Sequence, residues 1–143
     1  FIYITYFFYI MVFFKNIIHS FKNSFNFQGR ATRKEFWQFT LLYIFIYTPI
    51  SLYESIRYAL NNFSSYDISS WDILLSSPLT LLVTLIFIFP ILSLSCRRLH
   101  DIGKSGWYQL IYITIIGMIP LLYWFSLPGN PSANKFGLPN PIK

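Results

Sequence analysis

Apolar and polar positions along this chain fall into long blocks, and three blocks are nearly free of charge: residues 36–53, 78–95 and 107–127. A helix needs about 20 apolar residues to cross a hydrocarbon layer of ~30 Å, so each block reads as a membrane span. The first holds Pro49, which should kink it, as membrane helices tolerate. The second starts at Pro78 behind Ser77, a good first-turn proline behind an N-cap. Its eighteen residues rise about 27 Å, and Pro90 marks another kink. The third is interrupted by Gly117 and Pro120. Ahead of the spans, Phe14, Ile17, Ile18, Phe21 and Phe25 recur at helical spacing, with Lys15, His19, Lys22 and Asn23 opposite. That pattern predicts an amphipathic helix, lying in the membrane interface or packed against the bundle. The predicted fold is an all-α integral membrane protein: three transmembrane helices plus an N-terminal amphipathic interfacial helix.

The shorter segments refine this picture. Residues 1–10 are apolar and uncharged, without the basic start or small-residue cleavage site of a signal peptide. Since Met11 is the first Met, they read as an upstream extension or a short apolar segment, and 11–143 as a single membrane domain. Gly29 suggests a turn. Thr32 and Glu35 have capping-box spacing before the first span, so Glu35 is structural first, and Trp37 is an interface anchor. Glu54 and Arg57 are spaced to pair on one helix face. Residues 61–72 read as a polar loop, with Ser69 and Asp72 at capping spacing. Ser76, Thr80 and Thr84 form a small polar stripe suited to helix–helix contact. The tail, 128–143, is rich in Pro, Gly and Asn and reads as non-helical.

Composition agrees: 55% of residues are hydrophobic and 11% charged, against about 25% charged in soluble domains. The abundance of Phe, Tyr, Ile and Asn is what AT-rich codons produce, so it is not read as a ligand-binding signal. Cys96 is the only cysteine, which excludes an internal disulfide and a cysteine-based metal site. His19 has no second ligand at useful spacing and reads as a surface residue. Neither metal nor cofactor is expected.

The net charge of +6 sits beside apolar spans, which points to anionic lipid and topology rather than nucleic acid. With three spans, Lys15, Lys22, Arg30, Arg33, Lys34, Arg97, Arg98 and Lys104 share one side, leaving Arg57, Lys135 and Lys143 on the other. The positive-inside rule then puts the N-terminus in the cytoplasm and the C-terminus outside, in a bacterial inner membrane.

Most of the chemistry lies between Cys96 and Trp107. Lys104-Ser105 after Gly103 resembles the end of a phosphate loop, but Arg98 stands where that motif needs glycine. Three readings of the basic cluster remain open. Arg97 and Arg98 complement the helix dipole and meet lipid phosphate. Alternatively Arg97, Arg98, His100 and Lys104 converge on one phosphate or carboxylate. In the third, an arginine clamps Asp101 internally and the loop folds onto the basic N-terminal segment. His100 next to Asp101, with Ser105 nearby, hints at acid–base chemistry. Adjacent residues seldom face each other, however, and nothing supplies an oxyanion hole, so no enzyme is expected. The three spans carry no ionisable Asp, Glu, Lys, Arg or His, which argues against a transporter acting alone.

A resemblance adds to this reading. Phe27-x-Gly29-Arg30-x-x-Arg33-x-Glu35-Phe36-Trp37, then Arg97-Arg98-Leu99-His100-Asp101, Ser105-Gly106-Trp107, Pro128-Gly129 and Asn134-Lys135-Phe136-Gly137 occur in order. This order resembles the small bacterial inner-membrane family known as domain of unknown function 805, over about Met11 to Pro141. Lys135 and Ile102 depart slightly from its pattern. The resemblance implies a multi-span inner-membrane protein and supplies no activity. Two functions are therefore carried forward. One is binding of anionic lipid or a phosphate-bearing ligand through Arg30, Arg33, Lys34, Arg97, Arg98, His100 and Lys104. The other is an accessory subunit or homo-oligomeric scaffold in a membrane complex, with a transport component behind both. Gly29, Thr32, Glu35, Trp37, Asp101, Gly103, Gly106, Trp107, Pro128 and Gly129 are read as structural motif residues.

Overall fold

A computed structural model describes residues 2–61 and 77–139. Its elements are α1 (Ile2–Lys22), α2 (Arg33–Asn61), α3 (Pro78–Asp101), a 3-10 helix (Gly106–Ile113) and α4 (Met118–Ser126). Among the described residues there is no strand, only an isolated bridge between Asn134 and Gly137. The loop expected after Asn61, its Ser69/Asp72 cap, and Ser76 of the small polar stripe lie outside the described residues.

Local chemistry sets the helix ends. The Glu35 amide donates to Thr32 Oγ1 at 3.2 Å and the Phe36 amide to the Thr32 carbonyl, which starts α2 where the capping spacing predicts. Helix α3 begins at Pro78, where a missing N–H costs nothing. Its next two amides, Leu79 and Thr80, donate to the Glu54 carboxylate of α2 at 3.0 and 2.9 Å. The far end of α3 runs past the expected Ser95 to Asp101. There Gly103 takes φ +76, its amide bonds the His100 carbonyl, and the Lys104 amide bonds the Leu99 carbonyl. This left-handed C-cap needs a residue without a Cβ penalty. Helices α2 and α3 are both long and apolar enough to cross a membrane.

The third expected span, 107–127, is not one helix. Ser105 caps a 3-10 helix that stops at Thr114, whose amide turns back to the Ile111 carbonyl, and α4 restarts after Gly117. Pro120 cannot continue an amide ladder from Ile116, so a fresh start that places it in a first turn removes the conflict. The two short pieces pack on each other through Tyr108 and Trp124, edge to face at 5.3 Å, and through Tyr112 and Phe125.

The chain divides into two compact units. Leu41–Ile88 contains most of α2 and the first half of α3. Within it Glu54 is buried, and Thr80 Oγ1 donates to its carboxylate at 2.6 Å while Thr84 Oγ1 bonds the Thr80 carbonyl. The described part of the small polar stripe is thus used inside the chain, where Thr80 joins the two helices. Tyr43 packs on Phe87 at 5.4 Å. The outward positions are apolar, among them Phe45, Leu52, Leu82 and Leu85, as expected for helices solvated by acyl chains.

Phe1–Thr40 and Phe89–Lys143 form the other unit. Helix α1 turns Asn16 and Ser20 inward, where they are buried and Asn16 bonds Gln38, while Lys15 and Lys22 are exposed together with Phe7, Phe14 and Ile18. Met11 lies within this helix, which begins at Ile2. Every residue of α3 from Ser93 to Asp101 is buried. A continuous run of that kind requires neighbours on all sides, and residues 23–31 supply one. Ser93 Oγ lies 2.7 and 2.6 Å from the carbonyls of Asn23 and Asn26, able to donate to one at a time. The Ala31 amide bonds the Arg97 carbonyl at 3.0 Å.

Candidate functional site

Three guanidinium groups and two carboxylates lie buried together in this second unit: Arg30, Arg97 and Arg98 with Glu35 and Asp101. Asp101 closes α3 and serves two arginines at once. Arg30 Nε donates to Oδ1 at 2.9 Å, and Arg98 Nη1 donates to Oδ2 at 2.7 Å. Their remaining N–H groups go to backbone carbonyls. Arg30 bonds Ser132 at 2.8 Å, Gly137 and Asn130, and Arg98 bonds Phe125 at 3.1 Å and Leu127. An arginine presents five donors in a fixed fork, so a buried one pins whatever chain surrounds it. Arg30 holds the tail and Arg98 holds the exit of α4.

Those bonds join two segments that the sequence reading set apart. The sequence reading set the tail on the face opposite Arg30, but Arg30 is bonded directly to carbonyls at 130, 132 and 137. The Asn130 amide also donates to the Asp101 carbonyl at 2.9 Å. Between Arg98 and this tail, residues 107–127 run as two short helices with a break at 114–117. Pro128-Gly129 makes the approach possible: a Cβ on Gly129 would collide with the Asp101 carboxylate.

Among the basic residues singled out from the sequence, Arg30, Arg97 and Arg98 are brought together and the others are not. Arg33 is exposed and donates to the Ser126 carbonyl at 3.2 Å. Lys34 is exposed. Lys104 places its ammonium 4.2 Å from the Trp124 ring centre and 5.3 Å from that of Tyr108, a cation–π seat. His100 stacks flat on Phe136 at 3.8 Å, with Nδ1 3.1 Å from the Gly29 carbonyl and Nε2 3.6 Å from Cys96 Sγ. Ser105 Oγ accepts from the Trp107 amide. Histidine and serine thus have separate structural employment. Gly106 is buried and Trp107 is exposed at the start of the 3-10 helix, while Trp37 lies half-buried on α2, edge to face with Phe36.

Arg97 differs from its two neighbours. It is 3% exposed, and its one ion pair among the described residues is Nη1 to Glu35 Oε1 at 3.6 Å. Glu35 also receives His19 Nδ1 at 2.9 Å. Among the described residues Nε and Nη2 of Arg97 have no hydrogen-bond partner. Beside it opens a polar cleft of about 250 Å³, lined by His19, Asn23, Asn26, Gln28, Arg30 and Arg97, with Gly29 and Leu138 at its edges. The sequence offered no sign that Arg97, rather than Arg98, would be the arginine left incompletely paired. Adjacent helix positions point about 100° apart, and only the course of residues 23–31 decides which of the two meets the cleft.

Comparison with known proteins places these residues in a wider group. The family described as "Protein of unknown function (DUF805)" matches residues 24–138. The chain is 34% identical over 117 residues to inner membrane protein YhaI of Escherichia coli (strain K12), covering 81% of this chain and 86% of that protein. It is 31% identical over 121 residues to inner membrane protein YhaH of the same organism, covering 84% and 90%. No solved structure matches.

Proposed function

The chain belongs to the DUF805 family, as a membrane protein whose relatives are inner-membrane proteins, and from that premise we propose that it is a non-enzymatic protein holding anionic phospholipid at the cytoplasmic face. One observation carries the reading. Of eleven Lys and Arg residues, nine lie among the described residues of the unit formed by 1–40 and 89–143, and Arg57 alone lies in the other unit. Lys15, Lys22, Arg33 and Lys34 are exposed there, close in sequence to exposed apolar positions. Exposed cations beside exposed apolar residues suit lipid headgroups, and each cation near an anionic surface contributes ~1 kcal/mol.

The same distribution supports a topology of two spans, α2 and α3, with α1 lying at the interface and residues 106–126 dipping into one leaflet. The 3-10 helix has eight residues and α4 nine, so each arm reaches roughly 15 Å, half of a ~30 Å hydrocarbon layer. The turn between them is apolar and bare, with Ile113, Ile115 and Ile116 exposed by 84, 87 and 82%. Its exit returns to the start of α2, where Phe125 packs on Phe36 at 4.4 Å. N-terminal segment and tail then share the cytoplasmic side.

The test has two parts. A C-terminal reporter that is active only in the cytoplasm should be active; activity of a periplasm-only reporter at the same position would sink the topology. Native mass spectrometry of protein released from maltoside should show bound phosphatidylglycerol, reduced by Arg33→Ala/Lys34→Ala. Unchanged retention in that variant would remove the lipid-holding role.

A further inference from the structure

We propose that the cleft beside Arg97 is a site for one phosphate group, a deepening that rests on the lipid reading above. Charge is the first argument. The buried cluster holds three guanidinium groups against two carboxylates, and Asp101 is fully engaged by Arg30 and Arg98. Arg97 therefore shares Glu35 with His19, at the long distance of 3.6 Å. A buried cation without full compensation is costly, and a bound anion would relieve it.

Hydrogen bonding is the second argument. Buried polar atoms without partners are uncommon in native proteins and call for an explanation. Arg97 has two, Nε and Nη2, on the same planar group. These two nitrogens form the side of the fork that takes two oxygens of one phosphate or carboxylate, and because both are buried beneath the cleft an oxygen reaches them only when its wall parts. Phosphate is favoured over a side-chain carboxylate by what surrounds the space. The cleft is lined by Asn23, Asn26 and Gln28, whose amides supply neutral donors, and no carboxylate is among its described lining residues. Its 250 Å³ is roughly the volume of eight waters at ~30 Å³ each, ample for a phosphate with its hydration and small for a drug-sized ligand. The wall is built before any ligand arrives: Ser93 holds the 23–26 turn, Asn23 Nδ2 bonds the His19 carbonyl, and the Gln28 amide bonds Asn26 Oδ1. The phosphate can come from a phospholipid headgroup or from free inorganic phosphate, and the recognition chemistry is the same.

The experiment uses the full chain in phosphate-free maltoside. Inorganic phosphate is titrated by calorimetry against chloride at matched ionic strength, and phosphatidylglycerol nanodisc samples are examined by native mass spectrometry. Three variants are compared: Arg97→Gln, Gln28→Glu and Arg33→Ala/Lys34→Ala. Gln28 is exposed and isosteric with glutamate, so Gln28→Glu leaves the fold intact while setting a fixed anion in the cleft. The expected result is one phosphate or one phospholipid per chain in wild type, weakened at least tenfold in both Arg97→Gln and Gln28→Glu. Binding in the titration identifies free phosphate as the ligand, and retention only from nanodiscs identifies the headgroup. Equal binding by wild type and Gln28→Glu overturns the site, as does wild type that binds neither probe. If Arg33→Ala/Lys34→Ala alone lowers lipid retention, the cleft is refuted and the surface-lipid reading stands. If no variant lowers it, both are refuted.

Discussion

Removing the Asp101 side chain should destabilise this protein more than most single substitutions, and the size of the loss follows from what the carboxylate holds. Asp101→Ala leaves Arg30 and Arg98 buried with no carboxylate between them. Breaking a buried ion pair by deleting one partner costs about 3–5 kcal/mol. The lower end applies here, because both guanidinium groups keep their backbone carbonyl partners. What disappears is charge compensation. A loss of ~3 kcal/mol corresponds to a fall in Tm of roughly 10 °C for a chain of this size. The assay is thermal unfolding in maltoside followed by tryptophan fluorescence, with wild type, Asp101→Ala, Arg30→Met and the double variant in one series. Because Arg30 is a liability once Asp101 is gone, the double variant should be more stable than the sum of the single effects predicts, by about 1–3 kcal/mol. A Tm change below about 2 °C for Asp101→Ala, or strict additivity in the cycle, would refute the shared-counter-ion argument.

Three further outcomes are expected. Gly129→Ala forces a methyl into the Asp101 carboxylate, an overpacking cost of about 1–3 kcal/mol; a Tm equal to wild type would show that the tail gives way freely. Phe136→Ala removes the ring stacked on His100, worth ~0.5–1.5 kcal/mol, and should speed amide hydrogen exchange around Asn134 and Gly137; unchanged protection would mean that the stacking does not help to anchor the tail. Glu54→Ala strips the start of α3 of its acceptor and should raise exchange at Leu79 and Thr80 selectively, whereas exchange raised evenly along α3 would contradict a capping role.

The sequence made some of this legible, for reasons that can be named. Thr32 with Glu35, and Ser77 with Pro78, mark helix starts because caps and first-turn prolines act through near neighbours in the chain. The clamp of an arginine on Asp101 was among the readings left open, and Arg98, three residues before Asp101, is one such partner. Arg30, 71 residues before it, is the other, and no local pattern distinguishes it from Arg33, which lies exposed. Glu54 was expected to pair with Arg57, three residues on along one helix, and nothing local showed that its carboxylate also reaches across to α3. The third span misled because hydropathy records how apolar a stretch is and ignores whether its hydrogen-bond ladder can stay unbroken through Gly117 and Pro120. That the tail lies against Arg30 was not legible either, since it depends on contacts more than a hundred residues apart in the chain.

The long reach of Arg30 has a kinetic side. The ribosome makes Arg30 71 residues before Asp101 and 102 before Ser132. At ~5–20 residues per second, Arg30 waits roughly 4–14 s for its carboxylate and longer for the tail. During that interval the Arg30 guanidinium lacks the carboxylate and the tail carbonyls that hold it in the folded protein. The clamp therefore closes in two stages, first when the end of α3 brings Asp101 and then when the tail brings the carbonyls of Asn130 and Ser132.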